Sequence, residues 1–317
     1  MAPKIKMLGK KVENIEISKG NTISNLIKQF SLSGGFTAKK LATAADIFKD
    51  MEKDKACVKF LSFPADVIST GLRGVVKDLV KKKLVDVVIT TCGTLDHDLA
   101  RLWKSYYAGS EQSNDAELYK SGVNRLYNIF IPNESYGYVL EEKLLPIFKD
   151  ASKSKKEYST SEIIDFVGNS IKNEAGAEDS IIYWAWKNKI PMIVPGITDG
   201  SFGSQLWMHS QKDREFKINL LKDEDLLAEI VFKAKKSGAL MIGGGISKHH
   251  TIWWNQFKNG LDYAIYMTTA VDWDGSLSGA KLEEAISWGK IKPKAKQITV
   301  EGDATVLLPL LYASYLG

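Results

Sequence analysis

The stretch LLAEIVFKAKKSGALMIGGGISKHHTIWWNQFKNGLDYAIYMTTA, residues 226–270, changes its hydrophobic period three times. LLAEIVFKAKKS (226–237) spaces its apolar residues along one face of a helix. ALMIGGG (239–245) is a continuous apolar run that stops at three glycines, as a buried strand does. A second helix is expected from HHTIWWNQF (249–257), and DYAIYMTTA (262–270) is again extended. Continuous apolar strands separated by helices belong to a parallel sheet covered on both faces.

The same alternation runs outward in both directions. Upstream, TAKKLATAADIFKDMEKD (37–54) and GLRGVVKDLVKKK (71–83) have helical spacing, while CVKFLSF (57–63) and the β-branched VDVVITT (85–91) read as strands. LYNIFIP (126–132) is extended, ESYGYVLEEKLLPIFKDA (134–151) and TSEIIDFVGNSIKN (160–173) are helical. SIIYWAWKNK (180–189) is a helix and IPMIVPG (190–196) a strand. Beyond the opening stretch the pattern predicts a helix over 280–290, a short strand ITV (298–300) and an apolar helix from about 304. The fold class is therefore α/β: a single doubly wound, mostly parallel sheet with helices on both faces, Rossmann-like. No repeat or long linker divides the chain, so one domain over 1–317 is expected, with residues 1–20 a short N-terminal extension.

Composition narrows the class of function. The 317 residues are 44% hydrophobic and 26% charged, the balance of a globular protein. No apolar run reaches membrane-spanning length, and MAPKIKMLGKKVENIEI lacks the apolar core of a secretion signal. Two cysteines, Cys57 and Cys92, suit a reducing cytoplasm. The net charge of +5 is spread over short lysine groups, KKK (81–83), SKSKK (152–156) and KIKPKAK (290–296), none interleaved with aromatics. A solvated surface explains them, and neither nucleic acid nor membrane is an expected partner.

Polar chemistry collects at four predicted strand ends. VDVVITT runs into CGTLDHD (92–98), IPMIVPG into ITDGS (197–201), ALMI into GGGISKHH (243–250), and DYAIYMTTA into VDWDGSLSG (271–279). Glycines there let a ligand approach the backbone, the next helix offers free N–H groups to phosphate, and aspartates can accept ribose hydroxyls. A dinucleotide is the natural tenant, although GGGISK is neither G-x-G-x-x-G nor a P-loop.

A second theme sets carboxylates beside aromatics. Asp272, Trp273 and Asp274 are adjacent, and Glu284 and Trp288 share a helix face at spacing four. An indole with a carboxylate forms a cradle for organic cations; an ordinary helix with a core tryptophan is the plain alternative. Lys290 follows Trp288 and Gly289 at the helix end, where a bulky ring can hold a lysine in a pocket. Of the four histidines, His249 and His250 follow the glycine triplet, so a crevice base is available. No spacing for a zinc site exists.

DYAIYMTTAVDWDGSLSGAKLEEAISWGKI, GGGISKHH, ITDGSFG, ISTGLRG and GDATVLLPLL together resemble the deoxyhypusine synthase family, collinearly from about residue 14 to the C-terminus. The resemblance implies an enzyme using NAD and spermidine to modify one lysine of translation initiation factor 5A, as a cytoplasmic homotetramer with sites at subunit interfaces. Lys290 matches the family's covalent lysine and His249 its active-site histidine. Asp96, Gly275, Ser276, Glu284 and Trp288 match positions around the polyamine. For NAD the matching positions are Asp66, Ser69, Thr91, Cys92, Gly93, Asp199, Gly244, Thr269, Ala270, Asp274, Asp303 and Ala304. No metal is implied.

The sequence departs from the eukaryotic pattern at three places. Asp96 and His97 stand where a glutamate pair is usual, and Ser204 and Leu277 replace two aspartates, as in an archaeal-type branch. A buried ammonium without a carboxylate is unfavourable, so Asp96, Asp98 or another acid is expected to compensate. The N-terminal segment that covers a neighbouring entrance in the family is expected to be incomplete here. Two alternatives share the fold: a homospermidine synthase, with putrescine as acceptor, and a non-catalytic NAD- or polyamine-binding homologue.

Overall fold

The computed structural model describes residues 9–317; residues 1–8 of the expected extension lie outside these, and 9–20 are exposed, without helix or strand. Helices α1 (Ile23–Leu32) and α2 (Phe36–Lys53) lead into β1 (Cys57–Ser62), α3 (Asp66–Ser69) and α4 (Leu72–Lys81). After β2 (Val87–Ile89) and α5 (Cys92–Trp103) come β3 (Tyr107–Ala108), α6 (Asp115–Lys120), β4 (Val123–Leu126) and β5 (Ile129–Pro132). Next are α7 (Gly137–Ser154), β6 (Glu157–Tyr158), α8 (Thr160–Ser170), α9 (Ile181–Asn188) and β7 (Met192–Ile193). α10 (Ser201–Lys212), β8 (Lys217–Ile218), α11 (Leu221–Lys233), β9 (Lys236–Ile242) and α12 (Gly245–Gln256) follow. The chain closes with β10 (Leu261–Thr268), α13 (Glu284–Ser287), β11 (Ile291–Glu301) and α14 (Ala304–Leu316).

Six strands pair in parallel in the order β11-β10-β9-β1-β2-β7. The chain builds one half outward from β1 to β7, then returns to β9 and builds the other half. The order therefore reverses between β1 and β9, the place where such sheets admit ligands. Side chains alternate across the sheet as the pleat requires. Leu61, Leu240, Ile265 and Met267 join the apolar layer under α2, α4, α5 and α14. Phe60, Ala239, Met241, Ala264 and Tyr266 face Leu227, Val231, Ile252, Leu282 and Ala285 on the other side. Burying each large side chain contributes roughly 1.5–3 kcal/mol, so the two-sided core fixes the register.

Several boundaries differ from the sequence reading. The expected helix over 280–290 is only the four residues of α13, because the amide of Leu282 bonds Thr299 Oγ1 and those of Gly279 and Ala280 bond Ser276 O. The expected ITV strand is the end of β11, eleven residues long. Pro293 lies within it, and β11 is an edge strand, where a missing donor is tolerated. LYNIFIP straddles a hairpin: Tyr127, at φ +51°, turns the chain between β4 and β5. The strand read as 239–245 is Lys236–Ile242, and the helix before it, read as 226–237, is Leu221–Lys233. Helices α1, α5 and α10 had not been expected.

Candidate active site

Lys290 is fixed by its backbone before its side chain does anything. Its amide bonds Ala285 O at 2.9 Å and its carbonyl accepts from the amide of Leu261 at 3.1 Å, so it sits where α13 meets β11. Gly289, at φ +69°, makes the left-handed turn between them. The side chain is 8% exposed. Its Nζ lies 5.3 Å from the ring centroid of Trp288 and 5.7 Å from that of Trp253. Among the described residues no carboxylate forms an ion pair with it. Two indole faces in place of a counter-ion hold an amine without locking it in a salt bridge.

Lys290 lines a cavity of about 210 Å³ with Lys248, His249, Leu277, Lys281, Glu284 and Trp288. Ile252, Ala280, Leu282 and Ala285 complete an apolar floor. Glu284 and the 71% exposed Trp288 stand at the mouth, and Lys290 lies inside. His249 stacks on Trp253, centroids 5.6 Å apart and planes 28° apart. Burial, then the positive charge of Lys290, then His250 hold its imidazole below its ordinary range. At neutral pH it is an uncharged base beside a primary amine.

Glu284 is the one carboxylate among the described residues lining this cavity, against three lysines. Lys281 is paired with Asp272 at 2.5 Å. Leu277, where the resembled enzymes carry an acid, is part of the cavity wall. Ser204 lies on α10, exposed, its hydroxyl donating to Gly200 O. Gly275 and Ser276 are on the exposed loop leading to Leu277, outside the lining.

Asp96 does not join the cavity. It is fully buried on α5 and accepts from the Tyr136 hydroxyl (2.7 Å) and the amides of Ser201 (2.8 Å) and Phe202 (2.6 Å). It thus closes the N-terminus of α10, and burial pushes its carboxyl up against those three donors. Asp98 is equally committed, to Arg73, Ser180 and the first amides of α9. Neither acid of this chain is free to compensate inside its own cavity. His97 bonds Tyr106 at 2.9 Å, and burial pushes it down to about 4.

The expected NAD positions ring a different part of the molecule, the carboxyl ends of the six parallel strands. Asp66 and Ser69 follow β1; Thr91, Cys92 and Gly93 open α5 after β2; Asp199 follows β7. Gly244 follows β9, Thr269, Ala270 and Asp274 follow β10, and Asp303 and Ala304 open α14 after β11. Asp66 and Asp199 are exposed and their carboxylates make no hydrogen bond among the described residues, so both can accept hydroxyls. Three helix N-termini, of α5, α12 and α14, open on the same rim, that of α10 being closed by Asp96. The rim fits an anionic, hydroxyl-rich ligand. Cys92 and Ser69 are buried, and Ser69 donates its hydroxyl to Asp66 O, so these two offer no side chain to it.

One residue of the cavity and one beside it escape the sequence reading. Lys248 was passed over as part of the glycine turn, although Ile252 and Asn255, at helical spacing from it, are buried and show which way the helix faces. Trp253, outside the cavity lining, lies one turn beyond His249 and stacks on it, with the Lys290 amine over its ring. Among the described residues no group of His, Cys, Asp and Glu gathers as a metal site, and no helix is long and apolar enough to cross a membrane.

Comparison with known proteins places these features in a family. Residues 25–315 match the family described as deoxyhypusine synthase. A protein of Picrophilus torridus described as "Probable deoxyhypusine synthase" is 56% identical over 310 residues, covering 98% of each chain. One of the same description from Ignicoccus hospitalis is 46% identical over 311 residues, covering 96% of this chain and 95% of its own. A solved structure from Entamoeba histolytica, assigned to the same family, has a TM-score of 0.67 at 18% identity over 96% of each chain, a likeness of fold.

Proposed function

The chain belongs to the deoxyhypusine synthase family, and on that premise we propose that it transfers the 4-aminobutyl group of spermidine to one lysine of translation initiation factor 5A. The co-product is 1,3-diaminopropane, Lys290 is the covalent carrier, and the enzyme works as a cytoplasmic homotetramer. The observation that carries this reading is Lys290, buried between two indoles beside a neutral imidazole with one carboxylate at the mouth.

Asp66, Asp199, Asp303 and the N-termini of α5, α12 and α14 on the rim would hold NAD, which would supply the hydride acceptor for the donor and the hydride donor for the last imine. Glu284 and the Trp288 face bind an ammonium of the donor and align its secondary amine with the apolar floor. His249 takes the proton released as the C–N bond of the donor is oxidised to an imine. The Lys290 amine adds to the imine carbon and gives up a proton to the donor nitrogen; that nitrogen leaves with diaminopropane, and the butylimine is held on Lys290. The same exchange with the acceptor lysine frees Lys290, and reduction of the new imine yields the product amine. The apolar floor limits water, which would hydrolyse the imine.

Labelled spermidine and NAD would be offered with the organism's own initiation factor 5A and, separately, with putrescine. Label on the factor, lost in Lys290→Arg, is the expected result. Label in homospermidine alone would make the chain a homospermidine synthase, and NAD binding without any transfer or diaminopropane release would make it a non-catalytic homologue.

A further inference from the structure

Lys248 is 2% exposed and has no carboxylate partner, although it lines the same cavity as Lys290. Its Nζ donates to Leu277 O and Ala280 O, each at 2.8 Å, and lies 3.6 Å from the centroid of the Tyr266 ring. The carbonyl between them, Ser278 O, accepts from the Tyr266 hydroxyl (2.6 Å) and from Thr268 Oγ1 (3.0 Å). Three of the four carbonyls of residues 277–280 thus turn inward onto donors from α12 and β10. From the other side, Gly244 is flush against this segment: a Cβ there would come within 2.0 Å of Ser278 Oγ. Just before it, Val271 to Ser276 are exposed.

A buried lysine without a carboxylate is an unfavourable choice for packing alone, since a methionine would fill the space without desolvating a charge. What the amine adds is directional: two donors aimed at two carbonyls, and a cation against the ring whose hydroxyl takes the third. Burial pushes the ammonium down to about 8, with Glu284 opposing. Charged or neutral, the amine keeps at least two hydrogens to donate, so the contact survives either state.

We propose that Lys248 is a positioning residue that clamps segment 277–280 against α12 and so closes the wall that Leu277 and Ala280 form around the amine donor. The donor-binding part rests on the function proposed above; the clamp itself does not. With the clamp released, the wall opens while Lys290, His249 and Glu284 keep their own supports, so binding of the donor suffers more than the chemistry.

The test compares the full chain with Lys248→Met and Lys248→Arg. Methionine matches the stem and leaves the carbonyls without donors; arginine is too large for the enclosed site. Hydrogen exchange read by mass spectrometry, without donor or acceptor, is expected to show residues 276–281 exchanging about tenfold faster in Lys248→Met, with α12 and β10 unchanged. The amides of Gly279 and Ala280, both bonded to Ser276 O, are the sensitive ones. In turnover, the KM for the amine donor rises about tenfold while kcat stays within about threefold, and Lys248→Arg does not restore it. Wild-type exchange in this segment, or protection lost along the whole of α12, would overturn the clamp. A fall in kcat at unchanged KM would overturn its link to donor binding. Should the wild-type chain transfer no label at all, the proposed function fails while the exchange result still decides the clamp.

Discussion

Asp98 on α5 is closed to solvent and meets four donors: Arg73 Nε at 2.7 Å, Ser180 Oγ at 2.7 Å, and the amides of Ile181 and Ile182 at 3.1 and 3.0 Å. Lys290 is buried almost as deeply and meets two indole faces and no carboxylate. The first arrangement satisfies every lone pair that matters and ties α5, α9 and α4 into one unit. The second leaves an amine with its reactivity intact. A buried charge with complete partners ties elements together, and one without them keeps its amine free for a ligand.

The sharpest way to break this comparison is to exchange Lys290. Lys290→Met or Lys290→Arg is expected to reduce transfer by about a thousandfold or more and leave the melting temperature within a few degrees. Borohydride would then trap no adduct on the enzyme. Turnover in either variant would remove Lys290 from the reaction.

Asp98→Ala is expected to do the reverse. It strands the Arg73 guanidinium and uncaps α9, a loss of about 3–5 kcal/mol in urea unfolding, or failure to fold. A variant that melted like wild type would show that the network on α5 is dispensable.

His97 extends the test to pH. Its imidazole is neutral in the fold, pushed down to about 4, and free to protonate when unfolded. Its contribution to stability is present above about pH 6.5 and is lost as pH falls from there towards 4, about 3 kcal/mol in all. His97→Asn should flatten that decline in a melting series.

Glu284→Gln keeps the shape of the cavity mouth and removes its carboxylate. The KM for the amine donor should rise about tenfold to a hundredfold at unchanged stability, the loss of one charged hydrogen bond. The smallest effect expected is on His249 itself. By NMR it should titrate below the ordinary imidazole value of about 6.5, and Lys290→Met should move it upward by removing a neighbouring charge.

Much of this was legible in the sequence because period and composition are local. The six strands of the sheet and most of their helices follow from where apolar residues recur, and SWGKI marks Lys290 by its neighbours alone. Where local signals conflict the reading slipped. The segment 280–290 has helical spacing, yet its amides bond Thr299 and Ser276, partners distant in sequence or set by a turn. β11 carries lysines and a proline because one side of it is the edge of the sheet, and Lys292 and Lys296 pair with Asp262 and Asp50 there.

The sequence by itself determined the fold class and the family and pointed to Lys290, since each signal is carried by contiguous residues whose spacing is unaltered by folding. Only the tertiary structure decided which buried charges are satisfied. Asp96 looked available for a polyamine until its oxygens were found on Tyr136 and the start of α10. Lys248 looked like a turn residue until its amine was found on the carbonyls of Leu277 and Ala280. The physical reason is that a hydrogen bond depends on distance and direction between groups as far apart as Asp96 and Ser201, and no local pattern encodes it.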